Sequence, residues 1–448
     1  MNKLMVWTLV FTFFTGFAQS VRADEISELK QQLAQLQKRL EKLEARQAAQ
    51  QAQQQKQQID QQKQLDEKIS KAVDQKVEEK HANFELPSNI KWVENIKLSG
   101  DFRYRHETIH NDAGFTNDDG KVSEHRDRNR IRARLGIKAR LNSEWDVIFR
   151  LASGSSDAPT STNQTLGDSF SKNQFWLDRA YVDWHPENIQ GLNVYLGKMK
   201  NPFYTVGKNQ MIWDSDVNPE GGAASYVMEL NSCTSAQITG GAFWLNEDEA
   251  DADAGYFGLQ GLLKHDFHDT NKSYALAGIS VYNLGNIENN SLDDVDFLGN
   301  SVVNIAGNDR YRYDYNIFEG FAEYGFEFND TPLAFFGDYA NNLDAPENKN
   351  TAWLIGTSIN KTKAPGSWQF TYDYRDVESD AVFAGLSDSD FIGGGTNGKG
   401  HKFSLAYQLT KNIKTQLTYF MTKRYQTDST PTQDSNFNLL QADLIFKF

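Results

Sequence analysis

Every second residue along Asn129–Leu141 is apolar: Ile131, Ala133, Leu135, Ile137, Ala139 and Leu141. The residues between them are Arg130, Arg132, Arg134, Gly136, Lys138 and Arg140. A period of two predicts a β-strand, because neighbouring side chains of a strand point to opposite faces. A soluble sheet seldom sets five cations along one face of a strand without partners. A membrane barrel accommodates them readily, with apolar residues against lipid and charged residues against a watery lumen.

The same alternation recurs from residue 95 to the end. Strands are predicted near 95–108, 129–141, 145–154, 174–185, 191–199, 222–231, 235–246, 255–266, 272–283, 314–328, 332–341, 350–360, 367–377, 399–410, 412–426 and 436–448, about sixteen in all. Phe403, Leu405, Tyr407 and Leu409 alternate with Lys402, Ser404, Ala406 and Gln408. Phe318, Ala322, Tyr324, Phe326 and Phe328 are interleaved with Glu319, Glu323 and Glu327. The connections also alternate. Asn142–Glu144, Pro186–Gln190, Asn329–Thr331, Lys361–Gly366 and Lys411 are short; Ile109–Arg128, Ser155–Asn173, Lys200–Gly221, Leu284–Tyr313 and Glu378–Gly398 are long. Short turns at one end and long loops at the other predict an outer-membrane barrel with the short side periplasmic. Trp145, Trp184 and Trp368 fall at short-turn ends, and Trp244, Tyr282 and Trp353 at long-loop ends, as two interfacial girdles would require. The fold class is therefore all-β: a transmembrane antiparallel barrel of about sixteen strands over 95–448.

The preceding region has a different period. Ile26, Leu29, Leu33, Leu36, Leu40 and Leu43 step by three and four, a heptad seam. The same phase then meets Gln47, Gln50, Gln54, Gln57, Gln61 and Gln64, so the seam turns polar. Residues 24–80 thus read as a helical coiled coil that self-associates or reaches across the periplasm, roughly 85 Å long if continuous at 1.5 Å per residue. The alternative is a solvated helix with no specific partner. Residues 81–94, with Pro87, read as a linker. Residues 1–23 carry Lys3, an apolar run at Leu4–Phe17 and Val21-Arg22-Ala23, the pattern of a secretory signal peptide. The run is short for a retained anchor helix.

Composition narrows the picture. A mean hydropathy of −0.63 argues against a multi-helix membrane protein and leaves a barrel open. The single Cys233 permits no internal disulfide. Net charge is −14 overall; with +2 in the signal and none in the helix, the remainder carries about −16. No nucleic-acid partner is expected of so acidic a chain. The basic strand is a local exception, so anion selectivity does not follow from it alone.

Two stretches carry resemblances. Leu440, Ala442, Leu444, Phe446 and Phe448 alternate to a terminal aromatic, which resembles the signal read by the barrel-assembly machinery of the bacterial outer membrane. The strings GDFRYRHE (Gly100–Glu107), NRIRARL (Asn129–Leu135), STNQTLG (Ser161–Gly167), LDRAYVDW (Leu177–Trp184), GKMKNPF (Gly197–Phe203) and WDSDVNPEGGA (Trp213–Ala223) resemble the bacterial outer-membrane putative porin family. They cover the first third of the barrel densely. The coiled coil ahead of a barrel is also similar to phosphate-selective porins, although these strings are not theirs. The resemblance implies a passive diffusion channel for small hydrophilic solutes or ions in the outer membrane of a Gram-negative bacterium. It carries no defined substrate site.

A channel selects by width and by lining charge. The candidate basic wall is Arg103, Arg105, Arg130, Arg132, Arg134, Lys138 and Arg140. The candidate acidic wall, roughly opposite in a ring of sixteen, is Glu319, Glu323, Glu327, Asp338 and Asp373. The competing expectation is local pairing of the arginines with acids such as Asp101, Asp146, Asp178 and Asp183. The long loop after the fifth strand, 200–221, folds inward in general porins; here it would bring Asp214, Asp216 and Glu220 to a constriction. Acidic loops at 246–253 and 292–296 lack EF-hand spacing. His265 and His268 lack a third ligand, so no metal and no cofactor is expected. Expected partners are outer-membrane lipid and lipopolysaccharide, the barrel-assembly machinery, further copies of the chain in a trimer by analogy with sixteen-stranded porins, and the cell wall through the coiled coil. Two other classes stand beside the channel. One is a tether or adhesin anchored by a plugged barrel. The other is an outer-membrane hydrolase, disfavoured because no nucleophile elbow is present; no enzyme is expected.

Overall fold

The computed structural model describes residues 39, 91–116, 120–156, 158–247, 249, 253–267, 269–292, 297–425 and 434–448. The chain divides into two compact units, 1–91 and 92–448. Within the first, the expected signal peptide, the coiled coil (Arg39 apart, which is helical) and the linker up to residue 90 lie outside the described residues.

The second unit is a closed antiparallel barrel of sixteen strands. They are β1 (Ile96–Thr116), β2 (Val122–Arg140), β3 (Trp145–Ser153), β4 (Phe175–Trp184), β5 (Leu192–Lys198), β6 (Glu220–Asn231), β7 (Thr234–Asn246), β8 (Ala254–Asp266), β9 (Tyr274–Gly285), β10 (Tyr315–Phe328), β11 (Thr331–Asn342), β12 (Thr351–Ile359), β13 (Trp368–Val377), β14 (Gly398–Gln408), β15 (Ile413–Arg424) and β16 (Ser435–Lys447). Each pairs with its neighbours in sequence, and β16 returns to β1 with Asp101 opposite Lys447 and Asn111 opposite Phe437. Gly100 and Phe448 exchange both backbone hydrogen bonds at the seam. Closure leaves the barrel sheet without an unpaired edge strand among the described residues. The hairpin between β10 and β11 turns on Asn329 and Asp330, both at positive φ, as a two-residue turn matched to strand twist requires.

Burial is inverted relative to a soluble protein. Along β1, Asp101, Arg103, Arg105 and Glu107 are buried, while Phe102 and Tyr104 between them are exposed. Along β9, Ser280 and Tyr282 are buried, and Ile279 and Val281 are exposed at 61% and 52%. Only a wall with lipid outside and polar groups inside rewards that arrangement. Trp145 and Trp184 sit opposite each other at the short-turn rim and stack at 5.8 Å. Trp244, Trp353 and Trp368 are exposed on the outer wall, as a girdle requires. Tyr282 departs from that expectation: its position in the alternation points it inward, where it meets Phe203 and Trp213.

One loop expectation is corrected. Residues 109–116 and 122–128 are strand, because the β1–β2 ladder continues past the membrane with His110 opposite His125, then Phe115 opposite Ser123 after a register shift. Backbone pairing sustains this hairpin where most side chains have become polar and the alternation is lost.

Candidate functional site

The basic strand β2 lies between β1 and β3 and takes partners from both neighbours, while the arginines of β1 also reach across the closure seam. Asp101 receives Arg132 at 2.8 Å and Arg134 at 2.6 Å. Glu107, fully buried, receives Arg128 at 2.5 Å, with Arg105 at 3.4 Å and Arg130 at 3.7 Å. Asp443 on β16 takes Arg105 in a two-pronged contact at 2.7 and 2.9 Å, with Arg103 at 3.8 Å. Nearer the short turns, Asp146 binds Lys138 at 2.6 Å and lies 3.6 Å from Arg140. Arg150 pairs with Asp178. The geometry of a bidentate arginine–carboxylate contact fixes side-chain direction as well as charge.

Two long loops supply further carboxylates. Loop 199–219 does not leave the barrel mouth; it crosses the interior. From β5 it runs to the far wall, where Gln260 accepts from the Tyr204 N–H at 2.7 Å, Glu323 from the Gly207 N–H at 3.3 Å, and Asp338 from Asn209 Nδ2 at 2.7 Å. Gly207 has a φ of +58°, and a Cβ there would stand 2.4 Å from the Phe336 ring, so the loop touches β11 as closely as glycine allows. Phe203, Met211 and Trp213 pack with Phe243, Tyr256 and Tyr282 of the wall, which gives the loop an apolar footing. The loop then returns: Asp216 accepts from Arg134 at 3.2 Å and from the Thr162 hydroxyl at 2.9 Å, and Asn218 accepts from Arg179 at 2.6 Å.

Loop 378–397 folds onto it. Leu386 O accepts from the Asp214 N–H at 2.7 Å, Gln210 O from the Asp388 N–H at 3.0 Å, and Asp214 from the Ser389 N–H at 3.0 Å. Its own anchor is Arg375, buried on β13, which donates to Asp388 at 2.9 Å and stacks over Phe391 at 4.6 Å. Asp390 reaches Arg105 at 3.3 Å. Asn300, from loop 286–314, donates to Ser379 O and Val382 O and ties a third segment to the set.

These contacts set the ionisation of the loop carboxylates. Burial pushes Asp214 well above the usual carboxylate range, and Asp216 and Asp388 add to the effect. Burial also acts to raise Asp216, but Arg132 and Arg134 outweigh it and hold the group below its ordinary value. For Asp390, Arg105, Gln441, Arg130 and Arg103 overcome the burial cost and bring it to about 2. Burial, with Glu323 adding, pushes Tyr204 up to about 12.

The residues expected from sequence thus fall at five separate places. Arg103, Arg105, Arg130, Arg132 and Arg134 converge with Asp214 and Asp216 in one interior zone. Lys138 and Arg140 stand apart at the short-turn end with Asp146, and Glu327 is likewise at that end, 2.5 Å from Lys272. Glu319, Glu323 and Asp338 sit on the far wall, but Glu323 and Asp338 hold loop 199–219, while Glu319 accepts from Ser280 and Tyr282. Asp373 pairs with Arg375 at 3.1 Å. Glu220 pairs with Lys198 at the foot of the loop, away from the arginines. The sequence reading missed Glu107, Arg375, Asp388, Asp390 and Asp443. Asp443 was within reach, since setting the final Phe448 beside Gly100 places it opposite Arg105. Among the described residues, His265 contacts Thr234 at 2.9 Å, and residue 268 lies outside them.

The strings that run through this zone extend to a match over nearly the whole chain. Residues 17–316 and 314–448 fit the sequence profile of a family described as putative porin. The chain belongs to the putative porin family. Solved structures of similar fold include Pseudomonas putida OprB at high pH (12% identity, 79% of this chain and 94% of that chain covered, TM-score 0.49). Salmonella typhi OmpF in complex with daunomycin (12%, 79% and 97%, 0.46) and the outer membrane channel DcaP of Acinetobacter baumannii (14%, 79% and 97%, 0.43) are similar too. No curated protein matches the chain. Family and barrel together make this porin a channel protein of the outer membrane, and they point away from enzymatic work.

Proposed function

We propose that this porin is a passive diffusion channel for small hydrophilic solutes or ions, narrowed by loop 199–219 working with loop 378–397. The observation that carries the reading is the delivery of Asp216 and Asp390 by those loops to the arginines of β1 and β2. The arginines Arg103, Arg105, Arg128, Arg130, Arg132 and Arg134 face Asp101, Glu107, Asp216, Asp390 and Asp443, which leaves one positive charge in excess at the narrow zone. Ordered opposite charges of this kind polarise the water in a constriction and favour polar solutes over apolar ones. The other acids of the original opposite wall, Glu323 and Asp338, act in this reading as footings of the constriction loop. Glu220 serves its hinge.

Replacing Arg130, Arg132 and Arg134 together by Glu tests the basic wall. In a planar bilayer under a KCl gradient, the reversal potential should move toward cation preference. An unchanged potential in a conducting variant removes the ladder from selectivity. The interlocked loops also favour the second reading, a plugged barrel that anchors a tether through residues 24–80 to the cell wall. A folded wild-type barrel that carries no current would select it. The proposal further includes a trimer in lipid and lipopolysaccharide, inserted by the assembly machinery through the strand ending at Phe448.

A further inference from the structure

The β1–β2 hairpin rises above the membrane on the long-loop side, and beside its register shift it carries a side-chain cluster that the channel reading does not use. His110 and His125 are direct cross-strand partners, with ring centroids 4.7 Å apart. Glu124 adjoins them: one ring nitrogen from each histidine and one Glu124 carboxylate oxygen all lie within 4.8 Å of one another. Two imidazoles and a carboxylate form a donor set suited to a borderline divalent metal ion, with a fourth position left for water.

The surroundings prepare His110 for that task. Asp112 lies 3.0 Å from His110 Nε2, and its other oxygen accepts from the Asn436 N–H at 3.0 Å and from Asn436 Nδ2 at 2.7 Å, so β16 fixes its direction. A carboxylate on Nε2 keeps the proton there and leaves the lone pair on Nδ1. His110 Nδ1 is buried and has no hydrogen-bond partner. A buried polar atom without a partner is costly unless something fills the position. The carboxylate–histidine pair is also the arrangement that orients metal-bound histidines in general. The second carboxylate–histidine group, Asp146, Asp183 and His185, also has a buried ring nitrogen without a hydrogen-bond partner, but no carboxylate orients its ring at closer than 3.8 Å, and Lys138 at 2.6 Å already neutralises Asp146.

We propose that His110, His125 and Glu124 form a Zn²⁺ site at the extracellular tip of the hairpin, with Asp112 as the residue that orients His110. Tetrahedral Zn²⁺ with bonds near 2.0–2.1 Å sets its donors roughly 3.3 Å apart. The cluster closes to that by side-chain rotation. Pairing is regular up to His110–His125 and shifts register beyond it. The metal therefore clips the two strands at the last regular pair and ties them, through Asp112 and Asn436, to β16.

The test is titration of the purified full-length porin, without an affinity tag, with Zn²⁺ by calorimetry and with Co²⁺ by visible absorption. One equivalent should bind, with a cobalt spectrum of a low-coordinate nitrogen–oxygen site. His110→Ala or His125→Ala should weaken binding at least tenfold, and Asp112→Ala by about 10–100-fold, the usual effect of removing an orienting carboxylate. His185→Ala should leave it unchanged. Heat-dependent mobility in gels establishes that each variant is a folded barrel; His110→Gln and His125→Gln serve if an alanine variant does not fold. Absence of binding in the wild type overturns the proposal. So does binding that survives loss of both His110 and His125, or that disappears with His185.

Discussion

Asp216 is the point where loop 199–219 is tied back to the arginine wall, so its removal measures what holds the loop in place. In Asp216→Ala the loop loses the contact to Arg134 at 3.2 Å and two bonds from Thr162, at 3.2 Å from the N–H and 2.9 Å from the hydroxyl. Hydrogen bonds to a charged group contribute about 1.5–3 kcal/mol each. Arg134 keeps Asp101 at 2.6 Å and the lumen supplies water to Thr162, so the net loss is smaller than the sum. We take about 3 kcal/mol, the low end for breaking a buried pair. That corresponds to roughly a 150-fold rise in the ratio of released to seated loop. The contacts to Gln260, Glu323 and Asp338 on the far wall remain, as do those of Asn218 to Arg179 and of Gln210 and Asp214 to loop 378–397, so the loop loosens locally around residue 216. Single-channel recordings should show brief excursions to a higher conductance level that are rare in the wild type. Asp216→Asn, which keeps an acceptor for Thr162 and loses the charge, should fall between. Dwell times identical to wild type in both variants, with the barrel folded, would refute the assignment of Asp216 as a tether.

Other predictions test other parts of the account. Ile279→Arg places a cation on the lipid face of β9 and should destabilise the barrel by about 2–4 kcal/mol if that position lies near mid-membrane, measured by denaturant folding into vesicles; a change within 0.5 kcal/mol would contradict the assignment of faces. Asp214 is raised by burial among Asp216 and Asp388, so the seated loop holds a proton that the released loop gives up between the ordinary carboxylate range and the raised value. Raising pH through that window should therefore favour release and increase open-channel noise, and Asp214→Asn should remove the dependence; the same pH profile in that variant would exclude Asp214 as its source. Asp216 and Asp390 are lowered instead, so their ties should persist until strongly acidic pH, near 2 for Asp390.

The barrel was legible because its physics is local. Each strand must alternate between lipid and lumen, and that alternation survives in the sequence of most strands, although β9 and β12 also carry inward apolar residues such as Leu276 and Leu354. It failed at 109–128, where most positions on both faces of the hairpin are polar and backbone pairing carries the strand beyond the alternation. The arginine ladder was legible for the same reason, but most of its partners were not. Arg105 finds Asp443 and Asp390, 338 and 285 residues away, one through barrel closure and one through an inward loop. Closure can be reasoned from the final strand, whereas the route of loop 378–397 depends on Arg375, which in sequence is one charge in an ordinary alternation. The far-wall acids show the converse limit. Their inward direction follows from period two, but their use as footings for Gly207 and Asn209 depends on where a separate loop lands.

The central claim is that loop 199–219 narrows an open channel. Excising residues 203–216, from Phe203 through Asp216, and bridging the ends with a short glycine–serine linker removes the segment that crosses the interior. Single-channel conductance in a planar bilayer measures the outcome directly. The account predicts a conducting wild type and a severalfold larger conductance in the excised form. Equal conductance in the two, with both barrels folded, would contradict it.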